Sequence, residues 1–255
     1  MKALLWDVDG TLAETERDGH RVAFNRAFEA LGLTWRWDEA HYGRLLAVAG
    51  GRERLLHDMT SRSDAPALPQ QREELAAELH RRKNRFYAEC VAAGAISLRP
   101  GVLELMDECD AAGVRQAITT TTSRSNVDAL FTACFGPGWA ARFAAVVCGE
   151  DTQRKKPDPE VYLQALTLLG IAPLDAVAVE DSPGGVAAAR AADVPVLVTL
   201  SSYFADATIE GAMAIGPGLD RRQEWRPALH GAPGRVTLDD VLHWRALGDR
   251  VSQHG

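Results

Sequence analysis

The sequence predicts an α/β fold, a core built on a parallel sheet and interrupted near its start by an inserted, all-helical segment. Three observations carry this. A short apolar run, Ala3-Leu4-Leu5-Trp6, ends in Asp7-Val8-Asp9-Gly10-Thr11, the pattern of a buried strand that stops at acidic and turn residues. Residues 14–94 repeat apolar side chains at helical spacing and contain no convincing strand. From Arg99 onward, strand-like and helix-like segments alternate, which implies parallel strands covered by helices on both faces.

The elements follow in order. Within the insert, Val22, Ala23, Ala27, Phe28 and Leu31 mark one helix face, and Leu75, Ala76, Leu79 and Phe86 mark another. Gly32, Gly50-Gly51 and residues 65–69 punctuate the region. Beyond it the spacing predicts a helix over 102–112 closed by Gly113, a strand over 114–119 and a helix over 126–131. A strand at 144–148, a helix at 161–169, a strand at 176–179 and an Ala-rich helix at 185–192 come next. Strands at 194–200 and 212–215 complete the sheet. Residues 216–235 are rich in Gly, Pro and Arg and read only as a surface excursion before a last helix at 238–247. The division expected is a core of residues 1–13 and 97–255 around a helical cap of residues 14–96.

Composition bounds the function. The 255 residues are 46% hydrophobic and 25% charged, the balance of a folded globule. With Lys+Arg 28 against Asp+Glu 35, the net charge of -7 argues against nucleic acid as a partner. No uncharged apolar stretch approaches the roughly 18 residues of a membrane span, and the chain opens without an apolar signal region. Cys90, Cys109, Cys134 and Cys148 form no C-x-x-C pair, so neither zinc nor a redox dithiol is indicated. The expectation is a cytoplasmic protein, monomeric, with no membrane and no nucleic-acid partner.

Ligands of open α/β sheets bind outside the carboxyl ends of the strands. Those ends carry Asp7 and Asp9, then Thr119–Thr122, then Lys155-Lys156-Pro157 ahead of a helix, then Glu180-Asp181. Carboxylates, hydroxyls and an ammonium suit phosphate and a metal. A carboxylate ionised at neutral pH, such as Asp7, attacks phosphorus without a base to activate it. Asp9 then gives a proton to the leaving oxygen and later takes one from water. Repulsion between a carboxylate and a phosphate dianion costs several kcal/mol at about 4 Å. A divalent cation on Asp7 and Asp181, with Lys156 on the phosphate, offsets that. Thr120 would donate to a non-bridging oxygen.

These residues also carry a resemblance. Asp7-Val8-Asp9-Gly10-Thr11-Leu12 resembles the first motif of the haloacid dehalogenase superfamily of phosphohydrolases. The Thr119–Thr122 run, Lys156-Pro157 and Glu180-Asp181-Ser182 resemble its second, third and fourth motifs, over residues 1 to about 200. The resemblance implies a Rossmann-like core, a helical cap domain inserted after the first motif, an aspartyl-phosphate intermediate and Mg²⁺. It implies metal ligands at Asp7, the backbone carbonyl of Asp9, and Asp181. In the cap, Leu12-Ala13-Glu14-Thr15-Glu16, His20 with Ala23-Phe24-Asn25, and Gly50-Gly51-Arg52-Glu53-Arg54 resemble the CbbY group, which is similar in turn to β-phosphoglucomutase. That group implies hydrolysis of xylulose 1,5-bisphosphate to xylulose 5-phosphate, removing an inhibitor of the carbon-fixing enzyme Rubisco. Carried over, Glu16, His20, Gly51, Arg52 and Arg54 contact substrate beside Thr120, Thr121, Thr122 and Lys156. One residue in excess of the group's spacing falls near Asp18-Gly19, before His20.

Other readings compete. A phosphoglucomutase-type isomerase would return the phosphate to a sugar, and a broad-specificity sugar phosphatase would lack a preferred substrate. A dehalogenase needs no Mg²⁺ and lacks the second Asp. A phosphonate hydrolase needs a cap lysine, and the predicted cap offers only Lys83, expected to lie far from the Gly50-Gly51 loop. A non-catalytic binding module would not need the chemical residues of all four motifs. Lys155 reads as a solvated lysine. Glu180 is either a further metal ligand or a carboxylate orienting Lys156. His41, His57, His80, His230, His243 and His254 show no metal spacing and read as structural.

Overall fold

The computed structural model describes residues 1–252, with side chains through residue 248. His254 lies outside the described residues. The strands are β1 (Ala3–Trp6), β2 (Arg115–Thr119), β3 (Ala145–Val147), β4 (Ala176–Glu180), β5 (Val196–Thr199) and β6 (Ala214–Gly216). They form one sheet in the order β3-β2-β1-β4-β5-β6, parallel throughout. β1 lies inside it, with Leu5 opposite Ala117 on one side and Ala178 on the other. Leu4 and Trp6 join one apolar cluster, whereas Ala3 and Leu5 join the cluster on the opposite face. Burial on both faces is why this strand has no polar residue.

Between β1 and the next strand the chain is helical. A π-helical turn (Glu16–His20) runs into α1 (Arg21–Ala30), followed by α2 (Glu39–Leu45), α3 (Gly51–Ser61) and α4 (Pro69–Ala92). The π turn accommodates one more residue per turn than an α-helix. It contains Asp18-Gly19, where the sequence reading expects one residue in excess, and leaves His20 buried. Phe24, Phe28 and Trp37 interlock in the interior of the insert, with Trp37 edge-on to Phe28 at 5.0 Å. Buried Asp58 accepts from the Trp37 indole at 2.8 Å and from Arg62 at 2.7 Å. Both apolar and polar demands of that interior are thereby met. At its base Ala13 and Leu98 form an antiparallel bridge, so entry and exit of the insert are neighbours.

The core helices are α5 (Val102–Ala111), α6 (Arg124–Phe135), α7 (Glu160–Leu169), α8 (Pro183–Ala191) and α9 (Leu238–Ser252). Leu105 of α5 and Val127 of α6 fill one apolar cluster; Val161 of α7 and Val186 of α8 fill the other. The first cluster continues into the insert, where it includes Phe24 and Trp37. Helix α6 is longer at both ends than the apolar spacing predicts, because its polar first turn follows Ser123 and its last residue, Phe135, packs on Phe131.

Residues 216–235 correct the sequence reading. They are not a mere surface excursion, since Leu219 and Trp225 are buried, as is the adjoining Val236. Ile215 and Arg226 exchange two backbone hydrogen bonds of 2.9 Å, which covers part of the outer edge of β6. The Trp225 indole donates to the carbonyl of Arg221 at 2.9 Å and its ring packs 4.6 Å from that of Trp244 on α9. An exposed strand edge invites pairing with another chain, and this segment blunts it.

Candidate active site

The order of strands reverses between β1 and β4, and ligands bind in the crevice that such a reversal opens. Asp7 follows the last residue of β1, and Glu180 is the last residue of β4. Lys156, from the loop between β3 and α7, reaches into this crevice. Its ammonium donates to Asp7 Oδ1 at 2.7 Å, to Glu180 Oε1 at 2.6 Å and to the Thr119 carbonyl at 2.8 Å. The Tyr162 hydroxyl also donates to Glu180 Oε1. Lys156 is buried and its charge is favoured: burial opposes it, but Asp7 and Glu180 together hold its pKa well above the usual lysine value.

Asp181 lies beside Gly10, which has φ +86; a Cβ there would stand 2.1 Å from Asp181 Oδ2. Only glycine fits a backbone that is both left-handed and this close to a carboxylate. Asp7, Glu180 and Asp181 each bring a carboxylate oxygen within 4.8 Å of the others. Burial, reinforced by Glu180, pushes Asp7 up to about 7 against the pull of Lys156. Burial and the charges of Asp7 and Glu180 push Asp181 well above the usual carboxylate range. One lysine therefore does not neutralise three buried carboxylates. The surplus of hard oxygen donors fits a small divalent cation.

Asp9 differs. Burial would raise it, but the charge of His20 and hydrogen bonds from His20 and Thr15 hold it well below the usual carboxylate range. His20 Nε2 is 3.0 Å and Thr15 Oγ1 2.5 Å from Asp9 Oδ1. His20 packs on Tyr87, their ring centres 4.3 Å apart and their planes tilted by 32°. It is neither a surface histidine nor distant from the acids.

Two connected hollows open here, of about 510 and 320 Å³, and they share Asp9, Glu16, Arg54 and Thr121. The larger contains Asp7, Lys156 and Asp181, with Tyr203 and Phe204 from the loop after β5. The smaller contains His20, Gly51, Arg52, Lys83 and Thr122. Thr120 is buried next to them, its hydroxyl accepting from the Thr122 amide at 3.2 Å. Arg52 is half exposed and pairs with Glu73 at 2.6 Å, at the rim. Arg54 is buried instead: it donates to the Tyr42 hydroxyl at 2.7 Å and to the Val48 carbonyl at 3.3 Å. Tyr42 in turn donates to Glu16 at 2.5 Å, so Arg54 and Glu16 are held by a tyrosine that no sequence pattern singled out.

Two readings of lysines need correction. Lys155 is not a solvated lysine; its ammonium pairs with Glu53 Oε1 at 2.6 Å, joining core to insert. Lys83 is not distant from the Gly50-Gly51 loop, since it lines the smaller hollow together with Gly50, Gly51 and Arg52. It is buried, with its ammonium 5.2 Å from the Phe24 ring centre and 3.4 Å from Asn84 Oδ1. Burial lowers its pKa to about 8. A signal existed in the sequence: Lys83 falls on the apolar stripe of Ala76, Leu79 and Phe86, where a cation is out of place.

The family model for haloacid dehalogenase-like hydrolases matches residues 1–193. The chain belongs to that family. The CbbY protein of Cupriavidus necator is 45% identical over 227 residues, 89% of each chain. That of Rhodobacter capsulatus is 45% identical over 80% of this chain and 87% of its own. A crystal structure of a CbbY mutant from Rhodobacter sphaeroides, in complex with xylulose-(1,5)bisphosphate, superposes with a TM-score of 0.78 at 41% identity. It covers 83% of this chain and 92% of that one. These relatives place the haloacid dehalogenase-like chain in the CbbY group and make it a phosphatase. No helix among the described residues is long and apolar enough to cross a membrane.

Proposed function

We propose that this phosphatase hydrolyses xylulose 1,5-bisphosphate to xylulose 5-phosphate through an aspartyl-phosphate on Asp7. The observation that carries the reading is the placement of Asp7 Oδ1, 2.7 Å from the Lys156 ammonium at the mouth between β1 and β4. Lys156 holds one carboxylate oxygen, which leaves the other for attack on phosphorus, and stays positive to meet the incoming phosphate. The preference for this sugar bisphosphate rests on the complex recorded for the Rhodobacter sphaeroides relative.

The buried carboxylates fit Mg²⁺, which Asp7, Asp181 and the Asp9 backbone carbonyl would hold. When bound it supplies positive charge against the phosphoryl oxygens and carboxylates. Asp7 attacks phosphorus, and the P–O bond to the sugar breaks. Asp9 gives its proton to the departing oxygen. A phosphate dianion arriving beside Asp9 raises its pKa from the depressed value set by His20 and so favours the proton-bearing form. In the second half-reaction Asp9 takes a proton from water as that water attacks the phospho-aspartate, releasing inorganic phosphate. Thr120 and Thr121 belong to the loop that receives the phosphoryl oxygens. The second phosphate of the substrate occupies the smaller hollow, where Arg52 and Lys83 carry positive charge and Glu16 and His20 face the sugar.

The test is phosphate release across sugar mono- and bisphosphates with Mg²⁺ present, alongside Mg²⁺ titration by calorimetry on the substrate-free protein. A kcat/KM on xylulose 1,5-bisphosphate orders of magnitude above the rest is expected, with one tight Mg²⁺ site. A flat profile would discard the substrate. Turnover that needs a bisphosphate activator and returns an isomerised sugar phosphate would make the protein a mutase.

A further inference from the structure

Arg99 is where the chain re-enters the core after the helical insert. Its backbone amide donates to the Leu12 carbonyl at 2.7 Å, next to the Ala13–Leu98 bridge. Its side chain, 12% exposed, turns inward. Nη1 donates to the Gly10 carbonyl and, at 3.1 Å, to the carbonyl of Thr199 at the end of β5. Nη2 donates to the carbonyls of Leu200 at 2.8 Å and Pro217 at 2.9 Å. Glu14 is the carboxylate paired with it, and only at 3.8 Å. This guanidinium is therefore spent on backbone oxygens from three separate segments, a use that needs a planar fork of donors.

A largely buried cation is costly unless it is paired, and here the burial is enough to lower the arginine's pKa. Its contacts converge on one loop. Gly10 N donates to the Ala13 carbonyl at 2.8 Å, and Asp9 and Ala13 form a bridge, so the loop is already tight. Gly10 also packs against Asp181. The Gly10 carbonyl belongs to the peptide that follows Gly10, so fixing it holds Gly10 in place between Asp9, its chain neighbour, and the Asp181 carboxylate.

We infer that Arg99 is a positioning residue for catalysis: it pins the Asp9–Gly10 loop to the end of β5 and to the C-terminal segment, at the pivot of the helical insert. Motion of the insert is then not transmitted to the backbone of Asp9. The inference rests on the phosphatase reading, since it acts through Asp9 and the metal position beside it.

The experiment compares wild type with Arg99→Lys, Arg99→Gln and Arg99→Ala. It measures hydrolysis of p-nitrophenyl phosphate, thermal unfolding and Mg²⁺ affinity by calorimetry. Lysine keeps the charge but reaches one or two carbonyls instead of four. The expected result for the folded Lys and Gln variants is a fall in kcat of about 10–100-fold with KM within about three-fold, and Mg²⁺ affinity weakened by about 10-fold. A role in stability alone would give losses that track the unfolded fraction and leave kcat and Mg²⁺ affinity per folded molecule unchanged; that result overturns the inference. If Arg99→Ala does not fold, the Lys and Gln variants decide. Failure of the wild type on p-nitrophenyl phosphate would instead count against the phosphatase reading, and Mg²⁺ affinity would still decide the role of Arg99.

Discussion

Glu53 in the first turn of α3 and Lys155 in the loop before α7 form an ion pair of 2.6 Å, 102 residues apart in sequence. Lys155 is the immediate neighbour of Lys156, so this pair ties the helical insert to the segment that presents the ammonium to Asp7. Both partners are partly exposed, and such pairs contribute about 1 kcal/mol or less. Removing it with Glu53→Gln is expected to loosen the insert against the core and raise KM by about two- to five-fold, with kcat within about two-fold. The effect should shrink at high salt. An unchanged KM at low ionic strength would show that the pair does not hold the insert to the core.

Asp7→Asn is expected to lower phosphate release by at least about 10³-fold while the protein stays folded. Lys156 keeps Glu180 and the Thr119 carbonyl as acceptors, so its ammonium is not stranded. Stopped-assay phosphate release and circular dichroism on the same sample check both halves. Residual turnover within tenfold of wild type would remove Asp7 from the role of nucleophile.

Lys83 titrates near 8 because burial disfavours its charged form. Below that pH it is an ammonium that attracts a phosphate; above it the charge is lost. KM for a sugar bisphosphate is therefore expected to rise as pH increases from about 7.5 to 9, and Lys83→Arg, which stays charged, should flatten the rise. Steady-state kinetics over that range decide it. Identical profiles for both proteins would separate Lys83 from substrate binding.

His80 bears on stability instead. Burial, with Lys83 and Lys155 nearby, lowers its pKa to about 4 from 6.5. Between those values the unfolded chain binds a proton that the folded protein refuses, so stability falls as pH drops through this window. From pH 7 to 5 the loss attributable to His80 is about 2 kcal/mol. Urea unfolding of wild type and His80→Asn at both pH values measures it. An equal pH dependence in the two proteins would refute the assignment.

The parallel core was legible because buried strands are apolar on both faces and the chemistry stands where they end. Ala3–Trp6 followed by Asp7 is the plainest instance. Asp9, Lys156 and Asp181 were readable for the same reason: each is a polar residue where a strand or loop meets the crevice. What the sequence hid depends on distant partners. Nothing near Tyr42 indicates that it joins Arg54 to Glu16, and nothing near Lys155 names Glu53. Trp225 lies among glycines, prolines and arginines that suggest solvent, yet it is buried because Trp244, nineteen residues on, covers it. His20 needed knowledge of how the segment before it is wound, and a π turn leaves no mark in apolar spacing.

The Ala13–Leu98 bridge has a consequence for inheritance. To the core, everything beyond it is a loop whose ends already touch, and the entropy of closing a loop grows only slowly with its length. Helices added, lost or swapped past that point leave Asp7, Lys156 and Asp181 where the sheet sets them. Selection can thus change which molecule is admitted without reopening the question of how its phosphate is removed.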